Sequence, residues 1–261
     1  MSVGKKRSGD VRIGTPAAPW FVSYSDLMTQ LLIFFVMLFA LSGAATEDQL
    51  KKIKNKIDNY VTENKLETFV STQITQKEGL IISFSEKYMF DSGHADIYPE
   101  AKTIITDIVG LLAEYPNRVS IEGHTDNAPI ATAQFPSNWE LSTARATNVL
   151  RLIIYNITIG PERFTSAGYG EYHPAQELIK AELEVIQKER IGNLPKGKEE
   201  LKLSDLSKEE LKILVSNCNS TPEKKAKNRR IDVVVRRLDL DEMRQWNKKL
   251  AEATRKVIGK K

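Results

Sequence analysis

The side chains best suited to chemistry are few and far apart. Asp26 is the lone carboxylate of an apolar run, Trp20 to Leu41 (WFVSYSDLMTQLLIFFVMLFAL), in which the phenol of Tyr24 is the only other ionisable group. A carboxylate held at membrane depth costs roughly 2.5–3.5 kcal/mol on insertion scales, so such residues are usually kept to pair with or relay a cation. Much later, Asp126 and Arg145 form a complementary couple. The carboxylate can accept hydrogen bonds from an ammonium, and the planar guanidinium can hold a carboxylate through two parallel bonds. These are groups for loading, releasing and gripping charge. The plainer readings are an Asp26 solvated near the headgroups, an Asp126 that caps a turn, and an Arg145 that is a surface helix charge.

Chemistry of the bond-making kind finds no support. The chain has no zinc signature, nucleophile elbow or phosphate loop, so no catalytic residue and no enzyme is expected. His94, His124 and His173 show no ligand spacing, so no metal is expected either, and His124 reads as support for its turn. The single cysteine, Cys218, excludes an internal disulfide framework. A net charge of +4 on 261 residues is too small to argue for nucleic acid, and the 41% hydrophobic and 28% charged content is ordinary for a globular chain.

The elements that must hold these residues follow from hydrophobic patterning. At 1.5 Å per helical residue the apolar run reaches roughly 33 Å, long enough to cross a bilayer core. Lys5, Lys6, Arg7 and Arg12 precede it, which sets residues 1–19 in the cytoplasm by the positive-inside rule, with Trp20 and Tyr24 as interfacial anchors. A cleaved signal peptide is the rival, with Ser42, Gly43, Ala44 and Ala45 as its small-residue site. Asp26 and Gln30 would be odd residues inside a signal core. A lone span cannot enclose an ion path, so an ion-carrying Asp26 demands membrane helices from a partner. Leu50, Ile53, Ile57, Tyr60 and Val61 then mark one face of a helix whose other faces carry lysines. That pattern fits a solvated linker or a helix lying on the membrane surface.

From Gly79 onward, strands interleave with amphipathic helices. Leu80–Phe84, Val119–Gly123, Phe164–Tyr169 and Ile231–Val235 read as strands. Ala101 to Leu112 and Leu141 to Leu152 read as helices, the first ended by Pro116. The expectation is an α/β (α+β) sandwich with helices over one sheet. Residues of about 175–220 are rich in Lys and Glu, with Ile179, Leu183 and Ile186 and then Leu206, Leu211 and Leu214 at helical spacing. They read as an inserted helical hairpin. Residues 239–261 read as a helical tail, with Trp246 packing back on the domain.

Two sets of residues carry a family resemblance. Pro19-Trp20-Phe21-Val22-Ser23-Tyr24-Ser25-Asp26-Leu27-Met28-Thr29, followed by Phe34-Phe35, resembles the transmembrane signature of the flagellar stator subunit MotB. Glu122-Gly123-His124-Thr125-Asp126, Leu141-Ser142-Thr143-Ala144-Arg145-Ala146, Gly168-Tyr169-Gly170-Glu171 and Asn228-Arg229-Arg230-Ile231, in that order, resemble the OmpA-type peptidoglycan-binding domain.

The resemblance implies a single-pass inner-membrane protein. Its N-terminus would be cytoplasmic, residues 20–41 the transmembrane helix, 42–78 a plug and linker, and 79–238 an OmpA-like domain in the periplasm. It implies that Asp26 carries the driving ion, H+ or Na+, inside a dimer of these helices surrounded by a MotA-like multi-span subunit. It implies that Asp126 and Arg145 hold the diaminopimelate-type residue of peptidoglycan, with Asn138 and Arg229 in the ligand-lining segments. No cofactor beyond the transported ion is implied. Two other readings are weighed: a passive OmpA-like envelope tether, and a non-flagellar energiser resembling ExbD or TolR. Those last proteins lack an OmpA-type ending.

Overall fold

The structure, a computed structural model, describes residues 19–189 and 202–238, together with 242, 244, 245 and 248; side chains are described for all of these except 19, 40–46 and 189. The expected cytoplasmic tail up to residue 18 lies outside the described residues, as does Trp246 and nearly all of the expected C-terminal helix. The chain divides into two compact units, Met1–Ala45 and Thr46–Lys261.

In the first unit, the apolar run is helical. It opens α1 (Pro19–Glu63), and the stretch Trp20–Phe39 has a mean hydropathy of 1.6, with length and composition suited to a membrane span. Its large apolar side chains are exposed on all sides. A helix of this length and composition suits an apolar surrounding, whether lipid or other helices. Ser25 accepts a bond through its carbonyl from Thr29 Oγ1 at 2.8 Å, an internal return common for hydroxyls in such helices.

The second unit is a five-stranded sheet with helices over one face. Its elements are β1 (Val70–Thr75), β2 (Gly79–Ser85), α2 (Pro99–Gly110), β3 (Val119–His124), α3 (Asn138–Asn156), β4 (Phe164–Gly168), α4 (Gln176–Glu189), α5 (Lys208–Asn217), α6 (Pro222–Asn228) and β5 (Arg230–Val235). The strand order is β1-β2-β5-β3-β4. β3 and β4 run parallel, joined by α3, and the other neighbours are antiparallel. Alternation sends Leu80, Ile82, Phe84, Ile121, Val233 and Val235 to one face. There they meet Ile105 and Ile108 of α2 and Val149 and Ile153 of α3.

The same core contains Leu50, Ile53, Ile57 and Val61 from α1. The apolar face expected on a solvated or membrane-lying linker is therefore closed against the domain. Burial of each such side chain contributes roughly 1.5–3 kcal/mol, so this face is part of the fold. Tyr60 Oη adds a bond to Asp107 Oδ2 at 2.8 Å, and Thr72 bonds Asp58. The compact unit that holds the sheet begins at Thr46, ahead of residue 79, and both α1 and the edge strand β1 complete the sheet's covered face.

The inserted region forms α4, α5 and α6 among the described residues, with its own small core of Leu178, Leu206, Leu214 and Cys218. Ser207 and Glu210 make a reciprocal capping box at the start of α5, and Thr221 with Pro222 starts α6. Burial pushes the Cys218 thiol up to about 11, so it is inert.

Candidate functional site

Four sequence motifs converge at one end of the sheet, and the glycines explain how. A Cβ on Gly123 would lie 2.1 Å from the Ser142 carbonyl oxygen, and one on Gly168 would lie 2.4 Å from the Thr143 backbone nitrogen. β3 and β4 can approach α3 this closely only because both positions lack a side chain. The junction is then pinned by hydrogen bonds. Tyr169 N–H donates to the Gly123 carbonyl at 2.9 Å, Thr125 N–H to the Gly170 carbonyl at 2.9 Å, and Gly170 N–H to Ser142 Oγ at 3.0 Å.

Beside this junction lies a pocket of about 610 Å³ lined by Glu86, Asp126, Asn138, Arg145 and Arg229, among others. Three of these charged residues arrive from the ends of strands and one from a helix interior. Glu86 follows β2, Asp126 follows β3, Arg229 precedes β5, and Arg145 comes from within α3. Arg229 bridges two acids, with Nη1 2.6 Å from Asp126 Oδ2 and Nε 2.9 Å from Glu86 Oε2. Glu86 Oε1 lies 2.6 Å from Arg145 Nη1. The result is an alternating chain of acid and base, Asp126–Arg229–Glu86–Arg145.

Arg145 is 2% exposed, so it is no surface charge. Its Nε donates to the His94 carbonyl at 2.7 Å, its Nη2 to the Asp91 carbonyl at 3.2 Å, and its guanidinium lies 4.9 Å from the Phe90 ring centre. Burial lowers its pKa, against the pull of Glu86. In this state Arg145 organises the pocket floor, and the more open cation is Arg229, 37% exposed at its side chain. Asp126 Oδ1 also accepts from Ala128 N–H at 2.9 Å, so the carboxylate ties its own turn with one oxygen while the other meets Arg229. Asn138 opens α3 and donates through Nδ2 to the Ala128 carbonyl at 3.0 Å and Glu171 Oε2 at 3.0 Å. Asp26 is exposed on α1 in the first unit.

Sequence reasoning missed Glu86 and Glu171. The available signal for Glu86 was its position: it directly follows an apolar strand, as Thr125 and Asp126 follow another. The pocket holds hydroxyls from Ser85, Ser92, Thr125 and Thr132 with no histidine or cysteine among its lining residues. Such a lining offers groups that can pair with charge.

On the opposite face of the sheet, Asp232 is buried between Ser83 Oγ at 2.6 Å, Arg230 Nε at 2.9 Å and His124 Nε2 at 3.4 Å. Arg230 and these hydrogen bonds hold Asp232 well below the ordinary carboxylate range despite its burial. Burial pushes His124 down to about 4. His124 stacks with Tyr169, which stacks with His173 at 4.2 Å between ring centres. Among the described residues no group of three acidic, histidine or cysteine side chains is arranged to hold a metal ion.

A family model described as the OmpA family matches residues 89–182, and one described as membrane MotB of the proton-channel complex MotA/MotB matches residues 5–59. The Bacillus subtilis (strain 168) protein YtxE is 28% identical over 210 residues, covering 66% of this chain and 86% of that protein. Motility protein B of the same organism is 39% identical over 140 residues, 53% of each chain. Motility protein B of Escherichia coli (strain K12) is 34% identical over 108 residues, covering 38% of this chain and 35% of that protein. The chain thus spans about half, or less, of those two Motility proteins B. Among solved structures, a MotB-like protein from Desulfovibrio vulgaris superimposes with a TM-score of 0.51 at 22% identity, covering 74% of this chain and 96% of that one. That likeness is one of fold.

Proposed function

We propose, from the premise that this chain is a MotB-family protein with an OmpA-type domain, that it is a flagellar stator subunit. It would anchor to peptidoglycan in the periplasm while its membrane helix carries ions beside a MotA-like partner. The observation that carries the anchoring part is the Asp126–Arg229–Glu86–Arg145 array in a 610 Å³ pocket. A diaminopimelate-type residue presents an ammonium and a carboxylate on one side chain. Asp126 matches the first and Arg229 or Arg145 the second, each as a charge-assisted bond. Binding exchanges the internal Arg229–Asp126 contact for contacts to ligand, so little charge is left unpaired in either state.

The motor part rests on Asp26 within the apolar helix. Loading a cation neutralises the carboxylate and releasing it restores the charge, so the packing of surrounding partner helices alternates between two states. One elementary charge crossing 100 mV supplies about 2.3 kcal/mol, enough to bias such a step. The wall anchor gives the moving partner something to push against. No step requires bond chemistry by this chain, which acts as a non-enzymatic component of the inner membrane, with N-terminus in the cytoplasm and two copies per stator.

Paired substitutions test both parts. Asp26→Asn should abolish swimming while purified peptidoglycan still co-sediments with the solubilised protein. Asp126→Ala should do the reverse at the wall, losing co-sedimentation. Wild-type swimming by Asp26→Asn would leave a passive tether, and release of soluble muropeptides by the wild-type protein would end the non-enzymatic reading.

A further inference from the structure

Arg229, the open cation of the pocket, is also the residue on which the inserted helices end. It directly follows α6, and its N–H donates to the Lys225 carbonyl at 3.0 Å as the cap of that helix. Its own carbonyl accepts from Glu86 N–H at 3.1 Å, so the same backbone unit holds the pocket's central acid in place. Ala226, one turn back on α6, lines the pocket. With seven residues, α6 is too short to hold its shape by itself, since isolated helices below about 12 residues are marginal in water. Its position is that of whatever it is tied to.

The ties run into the insertion. Asn228, 1% exposed, accepts through Oδ1 from Ala175 N–H at 2.8 Å, at the entry to α4. Its Nδ2 donates to the Cys218 carbonyl at 2.8 Å and to Asn219 Oδ1 at 2.9 Å, at the exit from α5. One buried side chain therefore gathers three stretches of chain immediately before Arg229. Further along α6, Lys224 Nζ meets Glu182 Oε1 of α4 and the Asn217 carbonyl of α5, each at 2.9 Å. All of these contacts fix α6 and its end. The Arg229 side chain is itself 37% exposed, so the direction in which its guanidinium reaches Asp126 and Glu86 follows from the backbone beneath it.

We infer that Asn228 is a positioning residue for the peptide pocket, and that through it the inserted helices set the aim of Arg229. The inference rests on the anchoring reading above. Charge-assisted bonds weaken steeply with misalignment, and a support left about 1 Å too loose is enough to spoil a site of this kind. The insertion then belongs to the binding machinery, although Ala226 and the Arg229 it delivers are its only points at the pocket itself. The plain alternative is that β5 fixes Arg229 unaided and that Asn228 serves only the fold.

The test titrates full-length protein in detergent with a diaminopimelate-containing tripeptide in a calorimeter. Arg229→Ala should weaken binding by about thirtyfold and Asn228→Ala by about tenfold. The double variant should bind like Arg229→Ala alone, because a residue that acts through another contributes nothing once that other is gone. Stoichiometry reports the folded fraction separately from affinity. An Asn228 that serves only the fold would lower stoichiometry or melting temperature and leave affinity at the wild-type value, which overturns the inference. Losses that add in the double variant overturn it too. Should Asn228→Ala not fold, Glu182→Ala, which cuts the outer tie to Lys224, takes its place. Its loss of about threefold should vanish in the Arg229→Ala background, and wild-type affinity or an additive loss would again overturn the inference. Binding that Arg229→Ala leaves untouched removes the inference while the Asp126 pocket stands. Failure of the wild type to bind removes the anchoring reading itself.

Discussion

Arg229 and Asp126, far apart in the chain, close an ion pair of 2.6 Å at the adjoining ends of β5 and β3. The same guanidinium reaches Glu86 at 2.9 Å, so one side chain sets the spacing of two carboxylates. An ammonium entering the pocket must compete with Arg229 for Asp126. Arg229→Lys keeps the charge but replaces a planar fork with a point donor that cannot hold both acids in that geometry. Binding of purified peptidoglycan by this variant should fall by about tenfold, a loss near 1.4 kcal/mol. Co-sedimentation over a range of peptidoglycan concentrations measures it, and unchanged binding would remove Arg229 from the site.

Glu86 is the residue on which the buried Arg145 depends. Glu86→Gln leaves that guanidinium with backbone carbonyls as its partners and an uncompensated charge in the pocket floor. A loss of about 3–5 kcal/mol in stability is expected, read from the midpoint of denaturant unfolding. Adding Arg145→Met should recover part of it, because the stranded charge is then gone. Additive losses in the double variant would contradict the pairing.

Close approach at Gly123 makes a sharper case. A methyl group there would meet the Ser142 carbonyl oxygen at 2.1 Å, and backbone cannot step aside as a flexible side chain can. Gly123→Ala should therefore push α3 off β3, lower the melting temperature by several degrees, and weaken wall binding through the displaced Arg145. Gly110, which has open space around its would-be Cβ, provides the control: Gly110→Ala should be neutral or slightly stabilising within α2.

His124 contributes a pH response, and His173, lowered by burial too, acts in the same direction. The native pKa of His124 lies near 4 and its ordinary value is 6.5, chiefly because burial disfavours the charged ring. The unfolded chain therefore takes up a proton on this side chain before the native chain does. At neutral pH the residue makes no difference; as pH falls from about 6.5 towards 4 stability is lost, by roughly 3 kcal/mol in all at 1.36 kcal/mol per unit. His124→Gln should flatten that part of the stability profile. Melting curves of both proteins between pH 7 and 4 supply the comparison, and parallel profiles would count against it.

Much of this molecule is legible in one dimension. The helix Trp20–Phe39 and the strands at Leu80, Val119, Phe164 and Ile231 announce themselves because their apolar spacing is dictated by a single partner, lipid or core. The edge strand β1, Val70–Thr75, does not: VSTQIT buries little more than its first residue and has no clear alternation of apolar and polar types. The face of α1 that carries Leu50 and Ile57 was legible as a stripe, yet a stripe does not say what covers it. The answer, the domain's own core, depends on which surfaces the sheet leaves open.

The site divides along the same line. Asp126 and Arg145 stand out from sequence as a complementary pair of charges, and Asn138 and Arg229 through the resemblance of their segments to the OmpA-type domain. Their arrangement is another matter. Glu86 joins Arg229 to Arg145 only because β2 is hydrogen bonded to β5 and α3 packs against β3. An ion pair acts across a few ångströms of space, whatever the separation along the chain. The order of residues therefore determined which charges exist and which elements carry them, whereas the pairing of strands decided which charges meet.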